Sequence, residues 1–227
     1  MRSSQTARPV APVLAAGLGL RHGRGWALRS ASFRMDCVPS MPLGIVIPGA
    51  GAAGAVADLL AGLARPSYGE LRVLGEDMTT PRGRAAVRGR VGIARRHARP
   101  QPAARIRGVV ERGAKTARLP GCDRHLLAAA VLDRLSLTPW AGVPVRAAPD
   151  AIARRARLAA AAVHQPELLL IDGLLDDLPG RDLRALADAV RELSRDTCVL
   201  AIGSDADALA LACADVLTLS DGILVSA

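Results

Sequence analysis

At 227 residues the chain is long enough for one sizeable core and too short for two ordinary domains joined by a linker. Half of it is hydrophobic, 22% is charged and only 2% is aromatic, a globular composition whose core must be aliphatic. Basic residues outnumber acidic ones by 30 to 21, but Lys115 is the single lysine, which excludes any site that needs an ammonium group elsewhere.

Residues 1–12 read as a loose tail, since the apolar run near the N-terminus is too short for a signal peptide and leads directly into a strand-like segment. The strand-like segments are "LAAGLGL" at 14–20, "WALRSASFRM" at 26–35 and "LGIVI" at 43–47. Residues 37–57 carry no charge, yet Pro39, Pro42, Pro48 and several glycines make a poor lipid-exposed helix. Val56, Leu59, Leu60 and Leu63 then mark one helical face, ended by Pro66 and Gly69.

"ELRVLG" at 70–75 alternates like a half-buried strand, and "GRVGIA" at 89–94 is a further short one. Residues 95–125 read as Arg-rich and irregular, "LLAAAVLDRLSL" from 126 as a helix, and 151–164 as a second helix of Ala and Arg. "PELLLID" at 166–172 is an apolar run ending in an acid, as in a buried parallel strand. Helix 180–194, strand 198–203, helix 205–213 and strands at 216–220 and 223–227 complete an alternation that predicts an α/β chain with a mostly parallel sheet. Cys37, Cys122, Cys198 and Cys213 lie far apart with no CxxC pair, so neither a zinc site nor a disulfide framework is expected, and a reducing cytoplasm fits.

Gly49, Gly51 and Gly54 spell G-x-G-x-x-G between a strand and a helix. With Glu76 and Asp77 downstream, this permits an oxidoreductase of the Rossmann type that binds NAD(P). Two strand-like segments precede the loop, which argues against that reading. Helix starts also attract phosphate through their free N–H groups, so the same bend serves equally as a phosphate cradle.

Taken whole, the glycine bend, "LLAGLARPSYGELRVLGEDM" at 59–78, the helix running into "HQPELLLID" at 164–172 and the closing "DVLTLSDGILV" at 215–225 resemble the ATP-binding subunits of ABC transporters, in the right order over residues 14–225. The resemblance implies a P-loop NTPase-like ABC ATPase fold: a mostly parallel sheet, an N-terminal antiparallel part and a small helical subdomain at about 97–150, all in one domain of residues 13–227. It implies ATP and Mg²⁺ as ligands. It also implies a transmembrane permease and a second ATP-binding subunit as partners, and a cytoplasmic position at the inner face of the plasma membrane.

Carried over position by position, the resemblance puts the phosphate loop at Gly49, Gly51, Ala53, Gly54 and Ala55, with Ala53 where the lysine belongs and Gly54 and Ala55 where two hydroxyl residues belong. His22 falls at the adenine-stacking position, Asp172 at the acid associated with Mg²⁺, Gly173 at the general base and Gly203 at the switch histidine. The glutamine that reads Mg²⁺ and the γ-phosphate falls near Arg96, and the signature falls on "APDAI" at 148–152, where Pro149 replaces a serine and Asp150 would repel a phosphate. Losing two charged hydrogen bonds at about 1.5–3 kcal/mol each weakens nucleotide binding by about 10²–10⁴. With the base and the switch also gone, hydrolysis is expected to be weak or absent, so the catalytic set is empty.

Arg82, Arg84, Arg88, Arg90, Arg95, Arg96, Arg99, Arg105 and Arg107 accumulate between Asp77 and Glu111 without an intervening acid. This run reads as a solvated face or as a surface for anionic lipid or a membrane partner. Nucleic acid ranks below both, because Trp26, Phe33, Tyr68 and Trp140 all lie outside the stretch and offer bases no platform. His164, just before the Asp172 strand, is expected to end its helix favourably at the negative pole.

Overall fold

A computed structural model describes residues 12–36, 40–48, 51–97, 104–115, 121–220 and 223–226. Most of the proposed tail, together with Gly49 and Arg99, lies outside these residues. Pro12 is described, and its carbonyl accepts the Leu74 N–H at 2.8 Å, which ties the start of the first strand to the hairpin beside it.

Strands β1 (Val13–His22) and β2 (Gly25–Met35) form an antiparallel hairpin, and β4 (Tyr68–Val73) with the two-residue β5 (Glu76–Asp77) continues this antiparallel part. The parallel part centres on β3 (Leu43–Val46), which lies between β8 (Cys198–Gly203) and β9 (Asp215–Ser220) and runs parallel to both. β7 (Leu168–Asp172) pairs with β8, and β6 (Val91–Arg95) forms the edge. β10 (Ile223–Ser226) is antiparallel to β9 and meets β2 at Ser32, so one sheet runs β5-β4-β1-β2-β10-β9-β3-β8-β7-β6. The helices are α1 (Ala52–Leu60), α2 (Pro81–Arg88), α3 (Ile106–Ala114), α4 (Gly121–Arg134), α5 (Asp150–Ala162), α6 (Gly180–Ser194) and α7 (Ala206–Ala212).

The leucine run of β7 is uninterrupted because both of its faces are covered. Leu168 and Leu170 join the core made with α1 and the antiparallel strands, while Leu169 and Ile171 join the core made with α3 to α7. Burial accounts for much of the described part of the charge-free stretch at 37–57. Ile45 and Val46 of β3, and Val56, Ala57, Leu59 and Leu60 of α1, are core, and no helix among the described residues is long and apolar enough to cross a membrane.

Two expectations are corrected here. Residues 95–125 are not irregular throughout: α3 buries Ile106, Val110 and Ala114 at four-residue spacing, a stripe hidden in the sequence by the arginines and glycines around it. Gly113 lets α3 approach α5 closely, since a Cβ there would lie 2.0 Å from the Ala160 carbonyl oxygen. Cys198 is disulfide-bonded, because folding can pair thiols that sequence spacing leaves far apart, whereas Cys213 is a free thiol whose pKa burial pushes up to about 12.

Leu170 is fully buried in β7, the strand between β8 and the edge strand β6. Leu170→Ala is expected to lower the unfolding free energy by about 2–5 kcal/mol in urea titration.

Candidate functional site

The C-terminal ends of β3, β6, β7 and β8 open onto one cleft of about 600 Å³, lined by Ile47, Gly51, Ala53, Gly54, Arg95, Arg96, His97, Asp172, Gly173, Asp176, Asp177 and Ser204. Crevices of this kind, at strand ends of an open α/β sheet, are where such folds take ligands. Gly51 precedes α1 with φ 97°, a left-handed conformation, and the first turn of α1 contains neither an acid nor a side-chain cap. Its N–H groups therefore remain available at the cleft.

Of the residues singled out from sequence, Gly51, Ala53, Gly54 and Asp172 come together in this lining. Ala55 sits half-buried in the first turn of α1 beside them. His22 ends β1 and reaches the same loop, because a Cβ on Gly51 would lie 2.9 Å from its Nε2. A Cβ on Gly54 would lie 3.5 Å from Asp172 Oδ2, so the acid ending β7 faces the first turn of α1. Burial raises the Asp172 carboxyl above its ordinary range, with the Arg95 guanidinium pulling the other way.

The cations of the cleft are held by the protein's own acids. Arg95 pairs with Asp58 and leaves its buried Nε without a partner, and Arg96 Nη1 lies 2.5 Å from Asp177 Oδ2. Three carboxylates, Asp172, Asp176 and Asp177, line the cleft against two guanidinium groups. Elsewhere in the basic run, Arg84 donates to the Met78 and Thr79 carbonyls, Arg88 to the Gly62 carbonyl and Arg105 to the Gly142 carbonyl. Arg90 forms a two-pronged pair with Glu167 at 2.6 and 2.9 Å. These arginines act as structural braces as well as surface charge.

Asp176 and Arg154, which sequence reading passed over, organise the far wall. The Arg154 side chain is buried in α5. Its Nη1 donates to the carbonyls of Leu174 at 2.8 Å and Asp176 at 2.5 Å, and its Nη2 lies 2.6 Å from Asp150 Oδ2. This corrects the expectation for Asp150, whose carboxylate is neutralised by a cation one turn along its own helix. The Asp176 carboxylate in turn accepts from the Ser204 N–H at 3.2 and 3.3 Å and from the Ser204 hydroxyl at 3.2 Å. The only hint in the sequence was the acid pair at 176–177 so soon after Asp172. Gly173 has φ 65°, which disfavours any side chain at that position.

His164 is also corrected. It follows α5 half-buried beside the Val91 backbone, and burial lowers its pKa below the ordinary 6.5 against the pull of that backbone, which disfavours the charged form a helix end would reward. The dinucleotide reading fails on placement: Glu76 pairs with Arg90, Asp77 caps Thr79, and both lie in the edge strand β5, far across the sheet from the loop that follows β3.

Gly51 before a helix that follows a parallel strand, with an acid ending a nearby strand, is a backbone arrangement suited to phosphate, although the lysine and hydroxyl of a P-loop are absent. No family model matches the chain. It is 31% identical over 175 residues to the macrolide export ATP-binding/permease protein MacB of Sodalis glossinidius (strain morsitans). That match takes in 74% of the chain and 26% of the relative, so the chain spans about a quarter of the relative's length. Among solved structures it is similar to cbiO1 from Clostridium perfringens, part of the ABC transporter complex cbiONQ, with a TM-score of 0.78 at 18% identity over 95% of this chain and 87% of that one. A dimeric ATP-binding cassette in a post-hydrolysis state, bound to ADP and Pi, gives a TM-score of 0.73 at 15% identity over 93% of this chain and 96% of that one. By fold and by sequence relation the chain is a nucleotide-binding domain of the ABC transporter type.

Arg154→Met is expected to cost roughly 2–4 kcal/mol in urea titration, because two carbonyls and a carboxylate lose a charged donor. For His164, the unfolded chain takes up a proton near pH 6.5 that the folded chain resists. Its contribution is therefore fully present above that pH and is lost as pH falls from there through the lower folded-state pKa. His164→Leu is expected to flatten the fall in urea midpoint between about pH 7.5 and pH 5.5 relative to the parent.

Proposed function

We propose that the chain is a degenerate ATP-binding-cassette subunit that docks on a membrane permease and binds ATP with Mg²⁺ weakly or not at all. In this reading residues 13–227 form a single unit that works at the cytoplasmic face. It is paired with a second ATP-binding subunit, and the helical segment at about 97–150 takes part in docking. The observation that carries the reading is the makeup of the cleft. The loop holds Ala53, Gly54 and Ala55 where a cation and two hydroxyls are needed, and the nearest guanidinium groups already belong to Asp58 and Asp177.

In this reading Asp172 is the acid that would associate with Mg²⁺, the first turn of α1 carries no hydroxyl to join it, and the Asp58 carboxylate further along α1 is held by Arg95. Gly173 offers no proton acceptor at the position where the resemblance calls for one, so no hydrolytic step is assigned. Docking is assigned to protein contacts, since most of the arginines that would have formed a lipid-facing patch are engaged internally. A working ATPase remains as the second reading because Arg95 reaches the cleft beside Asp172; it requires Arg95 to leave Asp58 for a phosphate.

Thermal unfolding with Mg-ATP tests the proposal. The expected rise in Tm is under about 2 °C at roughly 1 mM nucleotide, with no phosphate release. A large rise at micromolar nucleotide, or steady turnover, supports the working ATPase. The triple variant Ala53→Lys/Gly54→Ser/Ala55→Thr is expected to gain about 10- to 10³-fold in ATP affinity and still to show no turnover.

A further inference from the structure

Asp176 stands where two side chains are missing. A Cβ on Gly203 would lie 2.7 Å from Asp176 Oδ1, and a Cβ on Gly173 would lie 3.5 Å from Asp176 Oδ2. The carboxylate thus fills the space between the ends of β7 and β8 and takes both donors of Ser204. Its turn is held from three sides. Arg154 grips the carbonyls of Leu174 and Asp176, Arg96 holds the Asp177 carboxylate, and the Asp176 N–H donates to the Gly173 carbonyl at 3.3 Å. A side chain merely lying on the surface would not be braced in this way.

We propose that Asp176 is an internal anion that occupies the donors at the β8 end of the cleft and, together with the makeup of the loop before α1, keeps phosphate-type ligands out. The Ser204 N–H and hydroxyl are an anion-binding pair satisfied by the chain itself. At the β8 end an entering phosphate meets a fixed carboxylate instead of a free donor, and the repulsion adds to that of Asp172 nearby. This deepens the degenerate-cassette reading and rests on it for the identity of the cleft.

The experiment is calorimetric titration of pyrophosphate, without divalent metal and at low salt, into the parent chain, Asp176→Asn and Asp176→Ser. Asn keeps the shape and a carbonyl acceptor while removing the charge; Ser also frees the Ser204 donors. The expected order of affinity is Ser above Asn above parent, with the Ser variant gaining at least about tenfold. Asp215→Asn, which removes an acid at the start of β9 on the opposite end of the sheet, is expected to leave binding at the parent level. The proposal is overturned if both Asp176 variants, folded by circular dichroism, bind no better than the parent, or if Asp215→Asn gains as much as they do. Failure of the underlying reading is separate: it would show as Mg-ATP turnover by the parent chain, which this titration does not measure.

Discussion

The wall of the cleft depends on one buried guanidinium. Arg154 is the only charged residue buried from solvent among the described residues, and it lies between α5 and the turn after β7. A cation taken out of water is tolerated only where its donors are satisfied, and here two backbone carbonyls and the Asp150 carboxylate do so. The consequence is geometric. The turn after β7 is fixed against the start of α5, and this fixes where Asp176 points.

The cleft that results is closed on itself electrostatically. Arg95 answers Asp58, Arg96 answers Asp177, and Ser204 answers Asp176, so the charged side chains of the cleft are largely engaged with one another, while the N–H groups at the start of α1 stay open. The scaffold around them is intact. β3 runs between β8 and β9, its glycine bend leads into α1, and an apolar core packs on each face of the parallel strands. The proposed docking role rests on this pairing of a preserved framework with self-satisfied side chains, since docking requires only shape and surface while turnover requires free charges aimed at the ligand.

The sequence was most legible where burial imposes a period. β7, β8 and α6 could be placed almost to the residue because an apolar run covered on both faces, or an amphipathic stripe, leaves little freedom. α3 was missed because its buried stripe of Ile106, Val110 and Ala114 is diluted by arginines that look like a solvated segment. In the site, the placement of Gly51, Ala53, Gly54 and Asp172 around one cleft followed from local motifs. The roles of Asp176, Arg154 and Ser204 could not be read, because they arise from contacts about 20–30 residues apart that no spacing rule encodes. Asp150 shows the same limit from the other side: a carboxylate that looks repulsive in the sequence is paired once Arg154 folds beneath it.

The account turns on the Ser204 N–H being held by the protein and not by a ligand. Amide hydrogen exchange of Ser204 and residues 173–177, followed with and without Mg-ATP, tests this most directly. The predicted result is strong protection of Ser204 in the free protein, unchanged by nucleotide. An unprotected Ser204 that becomes protected only when Mg-ATP is added would contradict it.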